Sequence, residues 1–225
     1  MLDLSLRLKT IASLVPFGAR VCDVGTDHGY LSIHLKQSGI AKKVIASDLR
    51  PDPLENAKKN IKYLNVTGID LRLGSGLETV QKDEVDTVII AGMGGEVISA
   101  ILSECDWIKS EKYTLILQPT TSAEALRKFL YETGFETLEE LPLAENGKLY
   151  AIMKCRFANT PCKMEDYFYY IGKITPNNEH GRLYLQKQQK RVFDCMKALE
   201  NIALKRNEYN YYKTIYNEIT KILER

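Results

Sequence analysis

Two aspartates bracket a glycine turn at 23–29, where the chain reads Asp-Val-Gly-Thr-Asp-His-Gly. Gly25 and Gly29 let the backbone turn tightly and approach a ligand, as the first loop of an α/β nucleotide-binding unit does. A loop that cradles a pyrophosphate reads G-x-G-x-x-G and offers bare N–H groups at a helix N-terminus. Here Asp27 stands in place of the second glycine, and Asp23 lies just before the turn. Two carboxylates at that point repel a phosphate and attract a cation. Asp48, 23 residues after Gly25, stands where an acidic side chain accepts hydrogen bonds from both ribose hydroxyls. Its competing role is a helix cap for the segment beginning near Pro51.

A nucleoside ligand with positive charge and no phosphate fits this set. S-adenosylmethionine meets the description through its sulfonium and ammonium, so it is expected in preference to NAD. On that reading Asp23, Gly25, Thr26, His28, Gly29, Tyr30, Asp48 and Leu49 hold the cofactor. Gly74, Ser75 and Gly76 close a third strand beside the adenine ring, where backbone N–H groups and the Ser75 hydroxyl would read its edge. Ala91 and Gly92 complete the cofactor set, and Met93 and Gly94 face the methyl-transfer position with Asp27. The glycines leave room for a flat base, with Met93 as an apolar wall. His28 is expected to stiffen its loop through a hydrogen bond rather than to act as a base. No metal is expected.

These groups need a scaffold of alternating strands and helices. Apolar periodicity predicts a helix over residues 4–15 with Asp3 as cap, then strands at 20–24, 43–47, 70–73, 86–91 and 113–118. Helices are expected at 30–37, 53–64 (Asp52 as cap, Pro53 in the first turn), 96–102 and 123–132. Strands at 135–141 and 148–155 straddle Asn146-Gly147, a strong hairpin signal. The pattern is that of an α/β fold, a doubly wound Rossmann-like sheet with an antiparallel edge, as in class I methyltransferases. After Cys155 strand signals stop, and residues 163–225 hold 8 of the 13 tyrosines. Leu185, Val192 and Leu199 recur at sevens, and Tyr212, Tyr216, Ile219 and Leu223 repeat the helical period. Two helices folded as a short coiled coil fit best, with one long helix as the alternative. The expected domains are 1–157 and 158–225.

At 225 residues, 44% hydrophobic and 27% charged, the chain has the composition of an ordinary globular protein. It shows no membrane-length apolar run and no secretory signal, and five cysteines without a C-x-x-C pair suit neither a disulfide framework nor a zinc site. A cytoplasmic monomer is expected. The net charge of +2 conceals an asymmetry: residues 155–225 carry 13 Lys and Arg against 8 Asp and Glu, while the rest is mildly acidic. A basic tail of that kind meets a polyanion or is simply a solvated helix.

Taken together, the residues resemble the TrmK family of bacterial tRNA (adenine-N1)-methyltransferases, which act on adenine 22 of the D arm. The resemblance is carried by Arg7-Leu8, DVGTDHGYL at 23–31, ASDLRPDPL at 46–54, RLGSGL at 72–77, AGMGG at 91–95, LQPTTSAEALRKFL at 117–130 and ENGKLY at 145–150. It implies S-adenosyl-L-methionine as cofactor and tRNA as partner. Arg7, Gln118, Pro119, Arg182, Lys187, Lys190, Arg191 and Lys197 are the expected tRNA-binding residues. The chain departs from the family pattern at Ser75, where Asp or Asn is frequent, and at Thr120, where Asn is usual. The rival readings are a methyltransferase of another substrate, a non-catalytic RNA-binding protein on the same scaffold, and an NAD oxidoreductase.

Overall fold

A computed structural model of the chain describes residues 3–224. Its centre is a seven-stranded sheet in the order β3-β2-β1-β4-β5-β7-β6. The strands are β1 (Ala19–Val24), β2 (Ala41–Asp48), β3 (Ile69–Leu73), β4 (Thr87–Gly94), β5 (Thr114–Thr121), β6 (Phe135–Glu145) and β7 (Lys148–Phe157). The first five pair in parallel, while β7 runs antiparallel to both β5 and β6. The central strands are covered on both faces, so they read as apolar runs rather than alternating ones. Val21, Val44, Ile89 and Ile116 face one core, and Cys22, Ile45, Val88, Ile90, Leu115 and Leu117 face the other.

Helices α1 (Leu6–Ser13) and α2 (Tyr30–Gln37) cover the first face. Helix α3 is Pro51–Tyr63, α4 is Gly95–Ser103 and α5 is Ala123–Glu132. Two expected caps move. Ser5, not Asp3, accepts the Leu8 N–H through its hydroxyl, and α3 starts earlier than expected because Pro51, not Pro53, takes its first position. The fixed φ of Pro51 suits a first helical residue, whose N–H would be unpaired in any case. The hairpin turn is as expected, with Asn146 at φ +51° and Gly147 at φ +72°.

The last part of the chain is helical: α6 (Asp166–Ile171), α7 (Glu179–Leu199) and α8 (Arg206–Leu223). Two helices, rather than one, follow the Thr175–Asn178 break, with a short 3-10 turn at Ala203–Lys205 between them. Tyr184, Leu185, Val192, Ile215 and Ile219 join the core that also holds Leu126, Leu130 and Phe135. A buried guanidinium lies at this junction. Arg127 of α5 donates to Glu140 Oε1 (3.0 and 2.6 Å), to the carbonyls of Tyr169 and Tyr170 (2.7 and 3.0 Å) and to the Tyr184 hydroxyl (2.9 Å). Burial works against the Arg127 charge, but Glu140 and Tyr184 outweigh it and hold the group protonated. No helix among the described residues is long and apolar enough to cross a membrane.

Candidate active site

Strand order reverses between β1 and β4, which places a crevice at the carboxyl ends of these strands, where ligands enter open α/β sheets. A cavity of about 770 Å³ opens there. Asp23, Gly25, Thr26, His28, Tyr30, Asp48, Leu49, Gly74, Ser75, Gly76, Ala91 and Gly92 line it, as do Asp27, Met93 and Arg7. Residues far apart along the chain thus converge on one space. Gly29 and Gly94 shape it from behind. Gly29 caps α2 at φ +71° against Ala57, and Gly94 leads into α4 beside Thr121. Gly25, at φ +76°, faces the Met93 methyl so closely that a Cβ would overlap it. The first glycine turn and the end of β4, which runs on past the expected stop at 91 to Gly94, therefore touch across the cavity.

Asp23 is buried, and its Oδ2 accepts from the hydroxyls of Thr26 (2.8 Å) and Ser32 (2.7 Å). Burial, with the nearby charge of Asp48, pushes its carboxyl above the usual range against those two hydrogen bonds. A cation entering the cavity offsets that penalty. Asp48 is also buried and lines the cavity; it does not cap α3, whose N-cap is Arg50 without a side-chain capping bond, but its Oδ1 accepts the Arg50 N–H at 2.9 Å in the turn before that helix. Asp27 differs, being two-thirds exposed and left-handed at φ +47°. The His28 ring stacks on Tyr30 at 5.3 Å, while its carbonyl accepts from Asn60 at 2.9 Å. The imidazole Nε2 also lies 3.7 Å from Asp27 Oδ2, so backbone and ring of His28 both bear on the loop.

At the third-strand turn, the Gly74 N–H goes to the Asp48 carbonyl (3.0 Å) and the Ser75 N–H to Glu78 (2.7 Å). Those two N–H groups are therefore already satisfied within the protein, while Ser75 itself lines the cavity. Arg7 reaches the cavity from α1, donating at 2.7 Å to Gln118 Oε1 and lying over the Tyr150 ring at 5.8 Å. Gln118 is fully buried, and its amide N–H goes to the Pro119 carbonyl at 2.9 Å, so it orients Arg7 rather than facing the cavity itself. Thr120 supports the opposite wall by donating to the Met93 carbonyl at 3.0 Å. Sequence reasoning missed Arg50, Val97 and Ile101 in the lining and Ser32 behind Asp23. Ser32 was findable: nine residues after Asp23, it sits in the first turn of the helix that follows the loop.

The tail residues lie apart from this cavity, on α7. Arg191 makes a bidentate pair with Glu124 (2.9 and 2.6 Å), and Arg182 donates to the Leu223 carbonyl at 3.3 Å. Lys190 and Lys197 pair with Asp194 and Glu200 along the helix. Among the described residues Lys187 has no hydrogen-bond or ion-pair partner. None of the described residues form a cluster of three or more His, Cys, Asp and Glu able to hold a metal.

A doubly wound sheet with a carboxylate-lined cavity at its switch point, in place of a phosphate cradle, defines a methyltransferase domain of Rossmann type. The sequence profile of the methyltransferase domain matches residues 4–153. Over 153 residues the chain is 37% identical to the tRNA (adenine(22)-N(1))-methyltransferase of Bacillus subtilis, covering 68% of this chain and 64% of that enzyme's length. It is similar in structure to Mycoplasma capricolum TrmK solved with S-adenosyl-homocysteine, at 27% identity over 98% of each chain and a TM-score of 0.81. It is likewise similar to Streptococcus pneumoniae Sp1610 solved with S-adenosyl-L-methionine, at 31% identity, 95% of this chain, 100% of that one and a TM-score of 0.80. The chain belongs to the TrmK family of methyltransferases.

Proposed function

We propose that the chain is an S-adenosylmethionine-dependent methyltransferase acting on N1 of adenine 22 in the D arm of tRNA, in the cytoplasm and as a monomer. The observation that carries this reading is the convergence of Asp23, Asp48 and the glycine turns on one cavity at the strand switch point. The residues present fit the cofactor. Asp48 would accept the ribose hydroxyls, Asp23 and the loop at 25–30 would take the cationic methionine end, and Gly74–Gly76 with Leu49 would hold the adenine. When bound, the cofactor supplies a methyl group activated by positively charged sulfur.

Adenine N1 has an in-plane lone pair at neutral pH, so the protein has no proton to remove before attack. Its task is alignment in a closed space. Gly92 leaves room for the flat base, Met93 walls it, and Asp27 faces the charge that develops on the ring, while Gly94 lies behind the cavity against Thr121. Arg7, held by Gln118 beside Pro119 and by Tyr150, meets the anionic backbone of the entering nucleotide. N1 lies on the Watson–Crick edge, so the nucleotide must be unpaired or flipped, at a cost of a few kcal/mol. Contacts elsewhere on the RNA offset that cost.

The helical part, residues 158–225, is the source we assign for those contacts, with α7 and α8 as a short antiparallel coiled coil. Exposed ion pairs are worth only about 0–1 kcal/mol, so Lys190 and Lys197 remain free to exchange a carboxylate for a phosphate. Lys187 needs no exchange. On α8, Arg206 and Lys213 both lie over the Tyr209 ring, at 5.2 and 5.9 Å, forming a cation–aromatic stripe suited to RNA. Charge reversal at Lys187, Lys190 and Arg206 should weaken tRNA binding and reduce its salt slope by about one for each phosphate left without its cation. An unchanged slope would remove the tail from the RNA site.

The direct test is methylation of unmodified tRNA with labelled cofactor, followed by nucleoside mass spectrometry. Expected is 1-methyladenosine at position 22, abolished when that adenine is replaced. Methyl transfer insensitive to RNase would point to another substrate, and absence of cofactor binding by calorimetry would leave an RNA-binding protein.

A further inference from the structure

The end of β4 at 92–94 and the first residue of α4, Gly95, rest on the end of β5, with irregular pairing of Met93 to Pro119 and Gly94 to Thr121. Thr120 holds the Met93 carbonyl, and Gly95 lies so close to the Ser122 carbonyl that a Cβ there would overlap it. Gly94 packs beside the Thr121 hydroxyl. Ser122 therefore sets the height of the wall that carries Met93. It does so in an uncommon conformation, left-handed at φ +51°, and at the N-terminus of α5 it makes no side-chain capping bond. Behind that uncapped start, α5 is anchored by buried Leu126 and by Arg127, and its first turn has one further hold. Glu124 in that turn is gripped by the Arg191 guanidinium of α7 through two short, parallel hydrogen bonds, and the other face of Arg191 lies against the Tyr170 ring at 5.9 Å. A planar fork fixes direction as well as distance, which a lysine does not.

We propose that Glu124 and Arg191 are a positioning pair that holds the 120–122 segment and, through it, the Met93 wall of the methyl-transfer cavity. Arg191, its side chain still half exposed, is thereby assigned to the α5–α7 contact through its bidentate fork rather than to RNA. The proposal rests on reading 92–95 as the methyl-transfer side of the cavity. It also gives the helical tail a second task besides holding RNA, because the catalytic wall is complete only when α7 is docked.

The test combines spectroscopy with kinetics. In the full chain labelled at methionine methyls, Arg191→Met and Glu124→Gln should shift the Met93 resonance, assigned with Met93→Leu, in the same direction. Both variants should lower kcat on tRNA about tenfold, since a displacement near 1 Å suffices for losses of this size. Their tRNA affinity should stay within about threefold of the parent, with its salt slope unchanged. Arg191→Lys should recover only part of kcat, because it restores charge without the fork. An unmoved Met93 resonance would overturn the proposal, as would a loss confined to tRNA affinity with a flatter salt slope. If the parent methylates no tRNA while the Met93 shifts stand, the substrate assignment fails and the pair's structural role survives.

Discussion

Asp48→Ala should raise the dissociation constant for S-adenosylmethionine about 30- to 150-fold while leaving tRNA affinity nearly unchanged. The carboxylate is buried at the end of β2 and lines the cavity, and among the described residues only one of its oxygens is engaged, accepting from the Arg50 N–H. The second oxygen and the charge remain for a ribose diol. Hydrogen bonds to a charged group contribute about 1.5–3 kcal/mol each, and water recovers part of what is lost, so a net loss of about 2–3 kcal/mol follows. Asp48→Asn separates the two roles. The amide oxygen keeps the turn before α3, but the second position now presents donors to hydroxyls that need an acceptor. Calorimetry should therefore place Asp48→Asn near the alanine variant for cofactor and near the parent for thermal stability. Equal loss of cofactor and tRNA affinity would contradict the ribose assignment.

The same carboxylate shows why much of the site was legible in the sequence. In an open α/β sheet, ligand groups sit at the ends of strands, and strand ends are marked by where apolar runs stop. Asp23, Asp48, Gly74–Gly76 and Gly92 all stand at such stops, so one-dimensional punctuation mapped onto one cavity. What escaped was side-chain pairing across long sequence separations. Nothing in the spacing of Arg127, Glu140 and Tyr184 says that they meet, and a lone Gly172 gives no hint that its φ of +60° lets the backbone press against Glu140. Helix α6 was likewise hidden, because its short run of buried aromatics, Tyr169 and Tyr170, carries too few residues to show a period. The basic residues of α7 were visible as charges. Which of them pair across to another element, as Arg191 does with Glu124, depends on how α7 docks on α5, and a helical period alone does not fix that docking.

That docking makes the second large effect one of stability. Arg127→Ala should destabilise the protein by about 3–5 kcal/mol, because it leaves the Glu140 carboxylate buried without its counter-ion and uncovers the Tyr169 and Tyr170 carbonyls. Both side chains of the pair are 1% exposed, so water cannot replace the guanidinium. Against a total of roughly 5–15 kcal/mol for a folded domain, the loss is a large fraction, and it falls where α6 and α7 join the sheet. The intact pair is a different matter from its broken half. Desolvating two charges offsets much of their attraction, so an apolar pair of similar volume serves about as well. Arg127→Met combined with Glu140→Leu should accordingly recover most of the stability that Arg127→Ala loses, still short of the parent by the unpaired carbonyls and by the Lys173 N–H that Glu140 now accepts. Urea unfolding of the three proteins decides it. A single variant within about 1 kcal/mol of the parent would mean that water reaches Glu140 and that the helical part is not fastened at this point; a double variant as unstable as the single one would mean that the charges themselves, rather than their balance, secure the joint.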